Sequence, residues 1–411
     1  MFRSLLKKFI RLTLKKIRYL TSLHNIINFQ NEISQIKKSH KIIALVMCNP
    51  GQQQFFEDIY RLSLKNKKKY YFFLVNDFDV KEAEKTDLFR PLKLITPSIY
   101  QYINGVDLAL HTEIHCRSWN VKDVCFIGHG FPGKHTEYSV KNLNSFNHYF
   151  LYGPRDRDIL NFVTKDNPDC VKQIKFHEVG YPRYDSQINN TFKAEALEKE
   201  LGLDQSLKTI LFAPAWDPGG ALRKYGVELF DKFGKMRGYN VIIKLHPAST
   251  VSKRSKDYMF YTGGVNWMQV LNGIGEKYEN IYVYWQQKIN HLFKISDVLV
   301  TDFSGVTMGF FLEDKPVVNI DCPEFYETTL PSLGSDGELS RSNNLFNNGR
   351  NASHLVINID SLEEMINHTL ANPGEMSEMR KKYVSDLLYN PGKGTKHALA
   401  AIDQILEREQ V

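Results

Sequence analysis

The strongest constraint on the fold is a repeated alternation of short apolar segments, which favour strands, with segments of helical pattern. A first series of strand-like segments comprises residues 41–48, 70–77, 92–96, 105–111, 123–130 and 173–185. A second series comprises residues 208–216, 240–247, 280–285, 297–305, 315–321 and 355–359. Nearly continuous apolar strands separated by helices are typical of parallel sheets covered on both faces. The break between the two series predicts an α/β protein with two Rossmann-like domains.

The chain of 411 residues is long enough for two or three domains. Four parts are predicted: a basic segment at 1–38, an N-terminal Rossmann-like domain at 39–200, a C-terminal one at 201–393, and a closing helix at 394–411. The stretch 329–353, rich in Ser, Asn and Gly, is predicted to be a loop.

Positive charge is concentrated at the N-terminus. The first 41 residues contain ten Lys or Arg and a single acid, Glu32, whereas the whole chain has a net charge of +7. The remaining chain is therefore close to neutral, which argues against a broad nucleic-acid surface. We expect no nucleic-acid partner.

Residues 1–20 have the period of a basic amphipathic helix, with apolar side chains on one side and most of the basic ones on the other. The apolar side consists of Phe2, Leu5, Leu6, Phe9, Ile10, Leu12, Ile17 and Leu20. Such a helix can lie in a membrane interface, or it can pack on its own domain with a solvated basic face. We favour membrane association, which predicts a cytoplasmic protein held peripherally on the inner face of the cell membrane.

Cofactor and metal chemistry find little support in the composition. The five cysteines are scattered with no CxxC pair, which argues against a cysteine zinc site and against a disulfide framework. No run of ~20 apolar residues occurs, so no transmembrane helix is predicted. We predict neither a metal site nor a cofactor.

The ends of the predicted strands carry the chemistry. In doubly wound sheets, ligands bind beyond the carboxyl ends of the strands. Five such ends are short, polar and turn-forming: GHGFPGK at 128–134, GYPRYD at 180–185, APAWDPGG at 213–220, KLHP at 244–247 and TDFSG at 301–305. Five polar ends exceed what turn chemistry alone requires, so a ligand-binding cleft is predicted between the two domains.

Two histidines stand at these ends. His129 follows one strand, and His246 ends another, where Pro247 stops the strand and keeps the imidazole at its tip. At a third end, Asp302 precedes Ser304 and Gly305, a pattern that can begin a helix and bind phosphate with backbone N–H groups. Each residue has a plainer reading, because an isolated histidine after a strand is usually structural and Ser304 can simply cap its helix.

These motifs, in this order, resemble the CDP-glycerol glycerophosphotransferase family of teichoic-acid and capsule synthesis. The closing PGKGTKHALAAI at 391–402 is similar to the end of that family as well, so the resemblance covers about residues 120–402. It implies a GT-B fold, a CDP-polyol donor and transfer of a polyol phosphate to an acceptor hydroxyl. It also implies that His129 and His246 are essential.

The chain departs from the family pattern at two places. Where the family usually reads Trp-His-Gly-Thr-Pro, this chain has Gly128-His129-Gly130-Phe131-Pro132. Where the family usually reads Asp-Tyr-Ser-Ser, it has Asp302-Phe303-Ser304-Gly305. Both departures remove a hydroxyl, which bears on the identity of the donor or the acceptor.

Transfer from a CDP-polyol is an attack by a hydroxyl on the β-phosphorus with CMP leaving. A histidine suits the general base at neutral pH, and we assign that role to His129. His246 is predicted to hold the diphosphate of the donor together with Ser304 and the backbone of Gly305. CMP leaves as a stabilised phosphate, so it needs neutralisation of charge more than a strong acid.

Further candidates contact the donor less directly. Arg183 and Lys244 are candidate phosphate partners, although Arg183 also fits a surface ion pair. Gly130 lets backbone N–H groups approach an anion, and Asp302 can orient a histidine or a ribose hydroxyl. Trp216 fits a stacking partner for the base and a core residue equally well.

The expected partners are a CDP-polyol and a membrane-linked polymer or lipid-linked acceptor. One alternative function is a GT-B glycosyltransferase that uses a nucleotide sugar in cell-surface polysaccharide synthesis. Another is a membrane-bound scaffold that only binds a cell-surface polymer. Glycerol and ribitol donors are not distinguished by the sequence.

Overall fold

The computed structural model describes residues 22–48, 50–76, 85–131, 140–255, 257–286 and 288–407. The amphipathic segment at 1–20 lies outside these residues, so its helix stays a prediction. Of the helices described, none is long and apolar enough to cross a bilayer.

Thirteen parallel strands in the described residues form two sheets. The N-terminal lobe is built on β1 Lys41–Met47, β2 Tyr70–Asn76, β3 Leu94–Ile95, β4 Leu108–His111, β5 Asp123–Phe126, β6 His148–Leu151 and β7 Lys175–Glu178. The C-terminal lobe is built on β8 Lys208–Phe212, β9 Tyr239–Ile243, β10 Ile281–Val283, β11 Val298–Thr301, β12 Val317–Ile320 and β13 His354–Val356.

Both sheets have the doubly wound strand order. It is β3-β2-β1-β4-β5-β6-β7 in the first sheet and β10-β9-β8-β11-β12-β13 in the second. In each sheet the order reverses beside the first strand, between β1 and β4 and between β8 and β11. A crevice opens at such a switch point, beyond the carboxyl ends of the strands. The predicted α/β fold with two Rossmann-like units is confirmed, whereas the exact domain limits stay a prediction.

Helices cover the faces of both sheets. Before β8 they are α1 (22–36), α2 Glu57–Lys65, α3 Pro97–Tyr100, α4 Val140–Leu143, α5 Pro154–Val163, α6 Asp185–Ile188 and α7 Ala194–Leu201. In the C-terminal lobe they are α8 Ala221–Lys235, α9 Tyr258–Thr262, α10 Trp267–Lys277, α11 Asn290–Ile295, α12 Val306–Phe311, α13 Leu330–Ser332, α14 Gly337–Ser342, α15 Leu362–Ala371 and α16 Ser377–Ser385. The last helix is α17 Gly394–Glu407.

The last helix returns to the first lobe. Ala398, Ile402 and Leu406 of α17 are buried in one cluster with residues of β1 and β2. The carboxylate of Asp185 accepts hydrogen bonds from the backbone N–H groups that begin α17, those of Gly394 at 2.9 Å and Thr395 at 2.7 Å. This capping fixes where the helix starts, next to the GYPRYD turn.

A hydrophobic cluster joins the two lobes. It contains Phe131 and Tyr184 from the N-terminal lobe and Leu211 and Phe310 from the C-terminal lobe, all buried. The rings of Phe131 and Tyr184 stack with centroids 5.4 Å apart. Because apolar burial is the main favourable term in packing, this cluster holds the strand ends of the two sheets against each other.

Two features differ from the sequence prediction. The predicted strands omitted β6, whose four residues HYFL follow a helix too short to give a period. The predicted loop at 329–353 is wrong: this segment contains α13, α14 and a short 3₁₀-helix. Its polar residues misled the prediction because several of them, including Asn347, Asn348 and Arg350, are buried.

Candidate active site

His129 is held at the end of β5 by its own backbone turn. Gly128 has a φ of +69°, a conformation that disfavours other residues, and it turns the chain out of the sheet. The Nδ1 atom of His129 lies 3.0 Å from the carbonyl oxygen of Thr112 and 3.6 Å from the carboxylate of Glu113. A carbonyl only accepts, so Nδ1 carries the proton and Nε2 has the lone pair.

His246 is held at the end of β9 in the opposite tautomer. Its Nδ1 atom accepts a hydrogen bond from the backbone N–H of Ala248 at 3.1 Å, within the 3₁₀-turn Pro247–Thr250. In the neutral ring Nε2 therefore carries the proton. The turn follows because Pro247 has no N–H to continue the ladder. His129 thus presents an acceptor, and His246 presents a donor.

A line of side chains connects the two histidines across the crevice. The rings of His246 and Trp216 lie 6.5 Å apart, and Trp216 meets Tyr261 edge-on at 4.9 Å. Burial chiefly, then Asp257 and the carboxylate of Glu113, raise the pKa of Tyr261. Since Glu113 stands beside His129, the charge of Glu113 links the surroundings of the two histidines.

Ser304 and Gly305 approach the His129 loop from the other lobe. They follow β11, and a Cβ atom on Gly305 would lie 3.7 Å from the carbonyl oxygen of Phe131. Gly305 is the N-cap of α12, with no side-chain capping hydrogen bond. A Cβ on Gly130 would meet nothing within 4 Å, so its backbone borders open space. The strand ends of the two lobes therefore oppose each other directly.

Asp302 braces the loop that carries Trp216. Its two carboxylate oxygens accept hydrogen bonds from the backbone N–H groups of Ala215, at 2.9 Å, and Ala221, at 3.0 Å. Burial raises its pKa to about 6, against the lowering effect of these two N–H groups. The side chain is fully buried. This geometry supports an indirect role, through the loop, rather than contact with a ribose hydroxyl.

Arg183 and Lys244 bring two positive charges together from opposite lobes. Lys244 is buried at the end of β9 and donates a hydrogen bond from Nζ to the carbonyl oxygen of Leu245 at 2.9 Å. Burial first, and then the charge of Arg183, lower its pKa to about 8. The guanidinium of Arg183 also lies over the ring of Phe55, at 5.1 Å. The same ring packs edge-on against His129 at 6.0 Å.

Glu113 was missed in the sequence analysis. It lies two positions after β4, at a strand end, but no glycine or proline follows that strand to indicate a turn at a ligand site. Its carboxylate is 3.6 Å from His129 and 3.7 Å from His115, and it accepts a hydrogen bond from Gln52 at 2.6 Å. Tyr261 was also missed, because nothing in the short helix α9 indicated a ligand.

A cavity of about 210 Å³ opens beside this group in the N-terminal lobe. It lies at the carboxyl ends of β1 and β2, and its walls include His115, Arg117 and Trp119. Glu113 is close both to His115 in the cavity wall, at 3.7 Å, and to His129, at 3.6 Å.

Two doubly wound lobes around one crevice define the GT-B class of transferase folds. Residues 169–329 match the family model described as CDP-Glycerol:Poly(glycerophosphate) glycerophosphotransferase. This part of the chain is therefore similar to the CDP-glycerol glycerophosphotransferase family, in agreement with the resemblance that the strand-end motifs predict.

Known relatives agree with this assignment. The teichoic acid ribitol-phosphate polymerase TarL of Staphylococcus aureus (strain NCTC 8325 / PS 47) is 21% identical over 304 residues, which cover 69% of this chain. The chain spans about half the length of that curated relative, 50%.

Solved structures of the wall teichoic acid polymerase TagF have the same fold. One aligns with a TM-score of 0.62 at 13% identity, covering 95% of this chain and 97% of the other. A histidine variant of TagF soaked with CDPG aligns with a TM-score of 0.60 at 12% identity, covering 96% and 98%.

Proposed function

We propose that this protein transfers a polyol phosphate from a CDP-activated donor to an acceptor hydroxyl in cell-surface polymer synthesis and releases CMP. Glycerol phosphate and ribitol phosphate are the two candidate groups, and a teichoic acid or capsule polymer is the candidate product. The proposal draws on the family match at residues 169–329, on TarL as a ribitol-phosphate polymerase and on the CDPG soaked into TagF.

The opposite tautomers of the two histidines carry the mechanism. The free lone pair on Nε2 of His129 accepts the proton of the acceptor hydroxyl as that oxygen attacks the β-phosphorus. The nearby carboxylate of Glu113, 3.6 Å from Nδ1, stabilises the imidazolium that forms. The Nε2–H of His246 donates to a diphosphate oxygen of the donor, where negative charge grows as CMP leaves.

The cationic pair completes the donor site. Two positive charges that meet in a partly buried crevice repel each other, and a bound diphosphate removes that repulsion. Arg183 and Lys244 are therefore assigned to the phosphates of the donor, with Ser304 and the backbone of Gly305 and Gly130 at its edge. Trp216, between His246 and Tyr261, is assigned to the cytosine or ribose side.

The acceptor is assigned to the N-terminal lobe. The cavity lined by His115, Arg117 and Trp119 neighbours Glu113, which lies 3.7 Å from His115 and 3.6 Å from His129. A polyol-phosphate chain end fits a site with cationic and aromatic walls, because Arg pairs with phosphate and an aromatic face packs on carbon-bound hydrogens.

Membrane attachment is part of the proposal. Residues 1–20 would lie in the interface of the inner leaflet and place the crevice near a membrane-linked polymer or lipid-linked acceptor. Each basic side chain near an anionic surface contributes roughly 1 kcal/mol. The chemistry in the crevice itself does not depend on this attachment.

A leaving-group assay tests the reaction type. The purified full chain is incubated with CDP-glycerol, CDP-ribitol and several nucleotide sugars, and the released nucleotide is identified. CMP release that requires a polymer or lipid-linked primer is expected. Release of a nucleoside diphosphate from a nucleotide sugar would instead show the glycosyltransferase alternative.

A binding-only scaffold is the remaining alternative. It predicts no nucleotide release with any donor, together with full biological activity of His129→Ala. The transferase proposal predicts that His129→Ala loses both nucleotide release and biological activity.

A further inference from the structure

A group of three potential metal ligands lies in the C-terminal lobe, apart from the residues assigned to the crevice. His354 begins β13 at the edge of the sheet, His368 lies in the last turn of α15, and Glu375 lies in the connection from α15 to α16. One ligand atom from each lies within 4.8 Å of the other two. Three separate elements thus contribute to one cluster.

The atoms that face each other are those that bind metals in proteins. The Nε2 atom of His368 lies 2.7 Å from Oε2 of Glu375, and Nε2 of His354 lies 4.0 Å from the same oxygen. A tetrahedral zinc ion with bonds near 2.05 Å separates its ligand atoms by about 3.3 Å. To bind the ion, the distance between His368 and Glu375 must lengthen and the distance between His354 and Glu375 must shorten, each by roughly half an ångström or somewhat more. The exposed side chains of His368 and Glu375 permit these movements.

His354 provides the independent indication that a ligand belongs here. The residue is only 7% exposed, and its Nε2 atom has no hydrogen-bond partner among the described residues. A buried polar atom left without a partner costs about 1–3 kcal/mol.

We propose that His354, His368 and Glu375 bind a Zn²⁺ ion through two imidazole nitrogens and one carboxylate oxygen, with water as the fourth ligand. Imidazole together with carboxylate suits Zn²⁺ in a tetrahedral geometry, whereas Mg²⁺ requires oxygen ligands in an octahedron. This site uses no cysteine, so the scattered cysteines of the sequence gave no indication of it.

The ion would have a structural effect. It would tie the edge strand β13 to the end of α15 and to the segment that leads into α16. On its other side that segment is already fixed, because Arg380 of α16 donates from Nε to Asp314 at 2.9 Å. Helix α16 in turn contacts α12, the helix that follows Ser304 and Gly305. The site thus stabilises the outer layer behind the candidate donor site without contacting the donor.

The experiment uses the purified full chain stripped of metal with a chelator. It is titrated with Zn²⁺ alone and, separately, with Mg²⁺ alone, and bound metal is measured after dialysis. Binding of one equivalent of Zn²⁺, no binding of Mg²⁺ and a rise in Tm with Zn²⁺ are expected. Co²⁺ in place of Zn²⁺ should give the intense visible absorption of a tetrahedral ion.

Variants at the two exposed ligands separate this site from others. His368→Ala should lose the bound equivalent and the rise in Tm, and Glu375→Gln should bind at least about tenfold more weakly, since neutral amides are poor ligands for Zn²⁺. Both positions are exposed, so both variants should fold. His24→Ala, which removes another exposed helical histidine, is the matched control and should bind Zn²⁺ as the parent does.

Two results would overturn the proposal. One is the absence of stoichiometric Zn²⁺ binding by the parent chain. The other is Zn²⁺ binding that both His368→Ala and Glu375→Gln retain in full, which would place the ion on other residues. Neither result depends on transferase activity, so failure here is distinguishable from failure of the proposed function.

Discussion

Lys244 and Arg183 come from opposite lobes, yet their positive charges meet in the crevice. Burial, and then the charge of Arg183, lower the pKa of Lys244 to about 8. Such an arrangement works against folding and in favour of binding an anion. Active sites often sacrifice stability in this way, because like charges placed for a ligand repel each other until it binds.

Replacing Lys244 by methionine should therefore stabilise the free protein and weaken its binding of the CDP-polyol donor. The folded-state pKa is lower than the usual value of 10.5, so the ionised lysine opposes folding below pH 8. We expect Lys244→Met to raise the free energy of unfolding at pH 7, on the order of 1–3 kcal/mol, and to raise the KM for the CDP-polyol. Urea unfolding and steady-state kinetics measure the two effects.

Lys315→Met is the matched control. Lys315 is also largely buried, but its Nζ donates to the carbonyl oxygens of Phe293, Lys294 and Ser296 at 2.7–3.0 Å. Burial lowers the pKa of Lys315 too, but its loss leaves three carbonyl oxygens without their donor. Lys315→Met should therefore lower stability and leave the donor KM unchanged. If Lys244→Met also lowers stability with no change in KM, the anion-site assignment for Lys244 is wrong.

Variants of the two histidines should differ in their effects on kcat and on donor binding. His129→Gln removes the general base and should lower kcat by about 10²–10⁴-fold with a donor KM close to that of the parent. His246→Ala removes a donor to the diphosphate and should abolish detectable transfer while also weakening CDP-polyol binding. Binding of the CDP-polyol by calorimetry and CMP release are the measurements.

An exposed histidine outside the crevice provides the comparison. His40→Ala, in the turn before β1, should leave both quantities unchanged. Near-normal transfer by His246→Ala would show that His246 is not part of the site. A changed donor affinity without a change in rate for His129→Gln would refute the role of His129 as general base.

How much of this could be read from the sequence depends on what each residue contacts. His129 and His246 could be found because each directly follows an apolar strand, and strand ends meet at one edge of a sheet. The opposite tautomers could not, because they depend on Thr112 and Ala248, whose positions only the folded backbone defines. Asp302 shows the limit most clearly, since a strand-end aspartate can face a ligand or, as here, two backbone amides.

Asp302→Asn should destabilise the protein. The asparagine amide keeps one oxygen to accept a hydrogen bond, but its NH₂ group would face the other of the two backbone N–H groups, those of Ala215 and Ala221, and two donors cannot bond to each other. A loss of about 1–3 kcal/mol in the free energy of unfolding is expected. The sign of the pH dependence follows from a folded-state pKa of about 6 against an ordinary value of 3.8. The folded state binds more protons between these values, so the contribution of Asp302 to stability falls as pH rises from about 4 to about 6.

Urea unfolding of parent and variant over that pH range measures this contribution as the difference between their free energies of unfolding. The contributions of the other acidic residues are common to both proteins and cancel in the difference. The advantage of the parent over Asp302→Asn should shrink with rising pH and stay constant above about pH 6. A difference that grows with pH would contradict the assignment.

Deleting residues 1–20 should move the protein from the membrane fraction to the soluble fraction. The basic and apolar faces of this segment predict binding to vesicles that contain anionic lipid, with affinity that falls as salt rises. CMP release from a water-soluble acceptor should persist, because the crevice does not include these residues. Unchanged sedimentation of the truncated chain with membranes would refute the anchor.

Replacement by alanine should have different effects at two glycines of α12, Gly305 at its N-cap and Gly309 inside it. At Gly305, where φ is −63°, a Cβ would lie 3.7 Å from the carbonyl oxygen of Phe131, which is ordinary contact. At Gly309 a Cβ would overlap the hydroxyl of the buried Tyr184, which belongs to the cluster joining the lobes. Gly305→Ala should change the free energy of unfolding by less than about 0.5 kcal/mol, and Gly309→Ala should lower it by about 1–3 kcal/mol.

The same pair tests whether the lobes are held together through this helix. Gly309→Ala should also lower transfer activity, because a displaced Tyr184 shifts the neighbouring Arg183 relative to Lys244. Gly305→Ser restores the hydroxyl that the family pattern has there and should fold as stably as the parent, so any change in preference between CDP-glycerol and CDP-ribitol reflects the site itself. If Gly309→Ala were as stable and as active as Gly305→Ala, the close contact of α12 with Tyr184 would not be what positions the cationic pair.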